Sequence, residues 1–311
     1  MDTHAVIFEA PERLRLDRLA LAAAGPEDVV VDVEWSGIST GTERLLYLGR
    51  MPSFPGLGYP LVPGYEAVGR VRSHGGANGL SDGDRVFVPG AHCFPEARCL
   101  FGASAARLVV PAARVARVPH GIEAEATLLA LAATAHHALA IAGGAPDLIV
   151  GHGVLGRLLA RLAVARGGRP VVWEREERRR SPGEAYAVVR PEDDDRRDYP
   201  RIVDVSGDSG LLDTLIARLA PGGAVVLAGF YAEPLSFAFP PAFMREAAIR
   251  IAAEWKPADL AAVTALVADG SLSLDGLVTD VEPAGRAPDA YRTAFGDPAC
   301  LKMILDWRDL Q

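Results

Sequence analysis

Cysteine is scarce in this chain: Cys93, Cys99 and Cys300 are the three in 311 residues. An odd, scattered set of that kind excludes a disulfide framework and a four-cysteine zinc lobe, so the three are read as reduced packing residues. Excess positive charge is also missing, with 32 Lys and Arg against 40 Asp and Glu for a net charge of -8. That balance opposes nonspecific adhesion to nucleic acid or to an anionic membrane surface. The start, Met-Asp-Thr-His-Ala-Val-Ile-Phe-Glu, has neither the basic nor the apolar region of a secretory signal, and a cytoplasmic location is expected. Long apolar runs are few. The stretch Ala126 to Ala145 is mostly alanine, but it carries two Thr and the pair His136-His137, which favours a buried helix over a spanning one. At most a peripheral relation to a membrane is expected.

What is present is ordinary for a folded protein, with 50% hydrophobic and 23% charged residues. The length allows two domains or one large one. Residues 1–119 read as β: short apolar runs (Val29 to Val33, Ala67 to Val71, Arg85 to Val88, Leu108 to Val110) alternate with turns such as Ser81-Asp82-Gly83-Asp84. A small irregular barrel is expected. From about residue 124 the period turns helical through Leu128, Leu129 and Leu131, and strand and helix patterns then alternate as in βαβ units. Leu148 to Val150, Val171 to Trp173, Ile202 to Val205 and Ala224 to Leu227 read as strands of a parallel sheet. Leu155 to Arg166 and Leu211 to Leu219 read as helices. Between Glu174 and Asp198 lies a charged stretch, read mostly as solvated surface, in which Ser181-Pro182-Gly183 cuts any helix short.

Gly151-His-Gly153-Val154-Leu155-Gly156 follows a predicted strand and opens a predicted helix. In a dinucleotide site the first glycine permits the tight turn, the second admits the pyrophosphate to backbone N–H groups, and the third lets helix pack on strand. A glycine pattern alone is weak. Glu174, however, ends the next strand 21 positions after Gly153, where a carboxylate would bind the adenosine ribose hydroxyls. The same carboxylate would repel a 2'-phosphate, so NAD is expected over NADP. Arg175 and the run Arg178-Arg179-Arg180 leave capture of that phosphate open.

A β-rich N-terminal part, a central dinucleotide fold and a C-terminal return resemble the medium-chain dehydrogenase/reductase superfamily over nearly the whole chain. The resemblance implies an α/β protein in which a Rossmann, doubly wound parallel sheet accompanies a GroES-like β-barrel. The catalytic barrel is expected from residues 1–119 and 256–311, the dinucleotide domain from 120–255, and the active site between them. Where the superfamily carries zinc ligands this sequence departs: Ser39 stands in place of Cys, Tyr65 in place of His, and Ala130 falls near the third ligand. Ser, Tyr and Ala do not form a Zn²⁺ site, so no metal is expected. Within the superfamily, Gly37-Ile-Ser-Thr-Gly-Thr-Glu-Arg44 and Gly49-Arg-Met-Pro-Ser-Phe-Pro-Gly-Leu-Gly-Tyr-Pro-Leu-Val-Pro-Gly-Tyr-Glu66 resemble the hydroxyethyl bacteriochlorophyllide a dehydrogenase family. That family oxidises the 3-(1-hydroxyethyl) side chain of the macrocycle to acetyl with NAD as hydride acceptor, which implies a tetrapyrrole substrate.

Alcohol oxidation needs a hydride acceptor and a group that takes the hydroxyl proton. Without zinc the second must come from side chains. Ser39 and Tyr65 are candidates to bond the substrate oxygen, and Thr42, Glu43 and His137 to relay its proton. Ser39 and Thr42 could instead only shape a turn, and Tyr65 could be a packing aromatic. The resemblance implies that Glu66 pairs with Lys302 as support, with Lys302 also a candidate for the pyrophosphate. It places Thr134, Ser206-Gly207 and Ala228-Gly229-Phe230 along the cofactor. Adjacent helical residues do not face one pocket, so one of His136 and His137 is expected to act and the other to sit in the core. The loop with Met51, Phe54, Leu57 and Tyr59, together with the segment Phe230 to Phe243, suits the walls of a slot for a flat ligand. Two rivals remain open on sequence: a zinc-free NADPH-dependent quinone or enone reductase, and a catalytically silent NAD-binding subunit. A homodimer is also compatible with the sequence.

Overall fold

The apolar run near residue 30 becomes a ten-residue strand, Asp28–Gly37, buried along almost its whole length. Burial on both faces explains why its sequence runs hydrophobic instead of alternating. It pairs antiparallel with Ala67–His74, Arg107–Pro111 and Met303–Asp306. Gly69 lies opposite Val33, and a Cβ there would strike the Asp32 carbonyl and the Val33 backbone. A second, four-stranded sheet is built on the hairpin of Asp2–Ala10 with Arg13–Ala20. An antiparallel bridge between Ala5 and Ala105 joins that hairpin to the chain entering Arg107–Pro111. This is the GroES-like barrel, and the computed structural model describes it and the rest of the chain at residues 1–53, 55–76, 79–180 and 185–311. Phe54 and Ser181-Pro182-Gly183 lie outside the described residues.

The chain forms two compact units, Met1–Ala130 with Asp275–Gln311, and Leu131–Leu274. The second holds a six-stranded sheet, parallel throughout. Its strands in chain order are Leu148–Val150, Val171–Trp173, Ala187–Val189, Tyr199–Asp204, Leu219–Leu227 and Ala248–Ile251, and they lie in the order third, second, first, fourth, fifth, sixth. That is the Rossmann order, whose reversal between first and fourth strands opens a ligand crevice at their carboxyl ends. The helix Val154–Ala165 follows the first strand, with Leu158, Leu159 and Leu162 buried. The run around His136 and His137 is the helix Leu129–Ala142, apolar nearly all round as a core helix is. The stretch Ala124–Ala142 is long and apolar enough to cross a membrane, and most of it is buried inside the protein.

The expected domain bounds differ from those of the structure. Residues 256–274, assigned by sequence to the barrel, group with the parallel-sheet unit, and residues 120–130, assigned to the dinucleotide domain, group with the barrel unit; Asp259, near the start of the helix Pro257–Ala268, hydrogen-bonds both His136 and His137. The described residues of the charged stretch before Asp198 are mostly exposed or half-buried, as its composition suggests. The stretch contains the third strand, and Asp194 is buried, accepting from Trp173 Nε1 at 2.6 Å and Tyr199 Oη at 2.7 Å.

Candidate active site

Just beyond the end of the central barrel strand the backbone turns into a six-residue helix, Thr42–Tyr47. Ser39 lies in that turn and is 6% exposed. Its Oγ lies 2.7 Å from Tyr65 Oη, and Thr42 hydrogen-bonds the same phenol. Three hydroxyls are thereby gathered where the sequence lacks metal ligands. Glu43, in the first turn of the helix, is fully buried and accepts from the Ser39 N–H at 3.1 Å and from Tyr291 Oη at 2.6 Å. Tyr291 comes from the C-terminal helix Ala287–Gly296.

Beneath these groups Glu66 and Lys302, 0% and 1% exposed, form an ion pair. The ammonium also donates to the Ile38 carbonyl at 3.0 Å. A Cβ on Gly37 would collide with both partners, so only glycine leaves room for the pair. The cluster therefore holds two buried carboxylates around one ammonium. Burial lifts Glu43 to about 7, with the nearby Glu66 charge pushing it up further and the Tyr291 and Ser39 hydrogen bonds and Lys302 pulling it down. Burial likewise raises Glu66, against the pull of Lys302. The Tyr65 phenol is raised by burial and then by the Glu66 charge.

In the other unit Gly151 has φ +104°, a conformation that favours glycine. A Cβ at Gly156 would collide with the Gly151 carbonyl, whereas one at Gly153 would meet nothing within 4 Å. The first glycine thus makes the turn, the third seats the helix, and the second faces open space. Gly153 is the N-cap of Val154–Ala165 and no side chain caps that terminus, which leaves an anion-binding helix end. Val154 is buried and Leu155 partly so. The Glu174 carboxylate accepts from the His152 N–H at 3.0 Å and from the Glu176 N–H at 2.8 Å. It is partly exposed and fixed against the turn. These residues fit a nucleotide.

A scan of known families matches residues 25–120 to the alcohol dehydrogenase GroES-like domain. Over 99% of both chains the sequence is 57% identical to the 2-desacetyl-2-hydroxyethyl bacteriochlorophyllide A dehydrogenase of Cereibacter sphaeroides. It is 56% identical, again over 99% of both chains, to the protein of the same name from Rhodobacter capsulatus. The chain belongs to this dehydrogenase family. In fold it is similar to the 2R,3R-butanediol dehydrogenase of Bacillus subtilis, with a TM-score of 0.84, 19% identity, and 98% of this chain and 99% of that one covered. As a medium-chain dehydrogenase it uses a nicotinamide cofactor.

Several residues of this dehydrogenase sit otherwise than expected. Lys302 does not reach out towards a pyrophosphate, since its ammonium is buried and occupied by Glu66 and Ile38. His136 and His137 share one partner: their Nδ1 atoms lie 2.8 and 3.0 Å from the two oxygens of Asp259. One carboxylate wide enough for two imidazoles lets neighbouring helical residues converge. Arg175 is paired with Asp208 at 3.2 Å. Thr134 is partly exposed, three residues before His137 on the helix. Ser206 follows the fourth strand, beside Gly151, and its N–H donates to the buried Asp204 at 2.8 Å. Gly207 has φ +71°, and Ala228, Gly229 and Phe230 follow the fifth strand, with Phe230 40% exposed. Met51, Leu57 and Tyr59 pack against the barrel core. Phe239 and Phe243 are exposed.

Sequence reasoning missed Tyr291, Asp259 and His152. His152 is fully buried, with Nδ1 2.6 Å from the Arg179 carbonyl and Nε2 3.0 Å from Tyr186 Oη. Burial lowers its imidazole to about 4, so the ring is neutral and ties the glycine turn to the charged segment. Its place inside the glycine motif was the available signal. Among the described residues no group of three or more His, Cys, Asp or Glu is arranged to hold a metal ion. Ala130 is 1% exposed and offers no ligand atom.

Proposed function

We propose that this chain oxidises the 3-(1-hydroxyethyl) group of a bacteriochlorophyllide to acetyl, with NAD as hydride acceptor and without zinc. Full-length identity of 57% and 56% to two proteins named for that substrate supports the reaction. The observation that carries the chemistry is the hydroxyl pair of Ser39 and Tyr65, 2.7 Å apart in the barrel unit. Gly151, Gly153, the helix end at Val154 to Gly156, Glu174 and the residues after the fourth and fifth strands would hold NAD, which would supply hydride acceptance. Glu174 favours a ribose hydroxyl over a 2'-phosphate, and Arg175 is already engaged by Asp208.

Ser39 and Tyr65 each have donor and acceptor capacity, so the pair can receive a substrate O–H and stabilise the oxygen as it loses its proton. Thr42 extends the hydroxyl set, and Glu43 and His137 are the groups able to hold a proton. Asp259 fixes the Nδ1 side of His137 and leaves Nε2 as the exchanging atom. Glu66 and Lys302 keep the turn at Ile38 in place.

The test is to incubate purified protein with hydroxyethyl bacteriochlorophyllide and either NAD or NADP. The macrocycle spectrum should shift as the side chain becomes conjugated, faster with NAD. No shift with either cofactor overturns the reading, and preference for NADP overturns its cofactor part.

A further inference from the structure

The dehydrogenase reading leaves open where the alcohol proton comes to rest. Two carboxylates, Glu43 and Glu66, are completely buried in the barrel unit and face one ammonium, Lys302. Lys302 is committed to Glu66. Glu43 therefore lacks a full counter-charge, and two neutral donors hold it instead: the Ser39 N–H at 3.1 Å and the Tyr291 hydroxyl at 2.6 Å. Tyr291 is 2% exposed, and its ring is wedged edge-on against Phe8 and Phe295, with centroids 5.5 and 5.6 Å away.

We propose that Tyr291 is a positioning residue of the oxidation, holding the Glu43 carboxylate as the buried acceptor of the substrate's hydroxyl proton. This role rests on the alcohol-dehydrogenase reading. Ser39, Tyr65 and Thr42 form a connected hydroxyl set, and Glu43 is the residue after Thr42. The substrate O–H bond breaks, its proton enters the hydroxyl set, and the set gives up one proton to Glu43, which lies close enough to Tyr65 for its charge to raise the phenol and which ends as the neutral acid. A bound nicotinamide would accept the carbinol hydrogen with its electron pair, and the C–O bond would become a carbonyl. The acceptor must be ionised beforehand, which the Tyr291 hydrogen bond favours and burial opposes. Glu43 is faced by Tyr291 from the C-terminal helix, Glu66 and Tyr65 from the segment entering Ala67–His74, Lys302 from the segment before Met303–Asp306, and Ser39 from its own turn. Removing the Tyr291 hydroxyl leaves the other charges in place and raises Glu43.

Two measurements test this. In the first, kcat for the macrocyclic alcohol is followed against pH in the wild type and in Tyr291→Phe. The rising limb should move to higher pH by about one pH unit, with kcat roughly tenfold lower at pH 6 and near wild type at pH 9. A merely structural role would lower kcat at every pH alike. In the second, infrared difference spectra of the protein without cofactor or substrate follow the protonated carboxyl band. A band absent from Glu43→Gln should titrate near neutral pH in the wild type and at higher pH in Tyr291→Phe. Active wild-type protein with limb and band both unmoved by Tyr291→Phe overturns the Tyr291 role alone. Wild-type protein inert on the macrocycle overturns the activity reading and this role with it. Should Glu43→Gln fail to fold, the Tyr291→Phe profile decides.

Discussion

Ser39 and Tyr65 act on the same oxygen in the proposed reaction, so each should matter to turnover more than to cofactor binding. Ser39→Ala and Tyr65→Phe should each lower kcat by roughly 10²-fold, with the KM for NAD near native. Steady-state kinetics at saturating macrocycle check this, and full kcat in both variants would remove the hydroxyl pair from the mechanism. Glu43 also makes a stability prediction. An acid whose folded value is raised to about 7 favours the folded state fully below its unfolded value and loses that contribution as pH rises to 7. From pH 5 to 8, Glu43→Gln should therefore gain about 2.5 kcal/mol relative to the wild type, read by denaturant titration at each pH. At this scale the sequence showed Ser39, Tyr65 and Glu43, because they stand in one short motif or at a position vacated by a ligand. It did not show Tyr291 or Asp259, whose partners lie 248 and 122 residues away. A hydrogen bond over such a separation leaves no local pattern.

The glycine turn shows how three residues of one type come to do different jobs within a single element. Gly156→Ala would press a Cβ into the Gly151 carbonyl, pushing the helix off the strand and costing about 1–3 kcal/mol of stability, with weaker cofactor binding. Thermal unfolding with and without NAD should show both effects. Glu174→Gln keeps the size and the acceptor of the side chain but removes its charge, and should raise the Kd for NAD about tenfold. Titration calorimetry would show it, and an unchanged Kd would mean that the carboxylate serves only the backbone groups it already caps. The turn, its strand and its helix were legible because glycine spacing and hydrophobic period coincide there. The third strand, Ala187–Val189, was not, because three short apolar residues follow a charged run whose composition points to solvent. Most of that run is exposed or half-buried, and Asp194 is its buried exception, satisfied by two aromatic donors.

For the whole molecule, the replacement of thiolate and imidazole by hydroxyl groups makes a prediction that involves no single bond. Purified protein should hold less than stoichiometric zinc, and chelators should leave its rate unchanged; metal analysis showing one tightly held zinc per chain would overturn the zinc-free proposal. The barrel carries a further consequence, because its parts are widely separated in the chain. Residues 131–274 form one uninterrupted unit, while Met1–Ala130 must wait for Asp275–Gln311. A ribosome therefore releases the parallel sheet able to fold while the barrel still lacks the strand Met303–Asp306, and Glu66 still lacks its cation. Residues 302–311 complete the unit that Met1–Ala130 begins. Stalled nascent chains ending at residue 290 should be protected from protease across the parallel-sheet unit and cut readily in the barrel, and addition of the final segment should abolish that asymmetry.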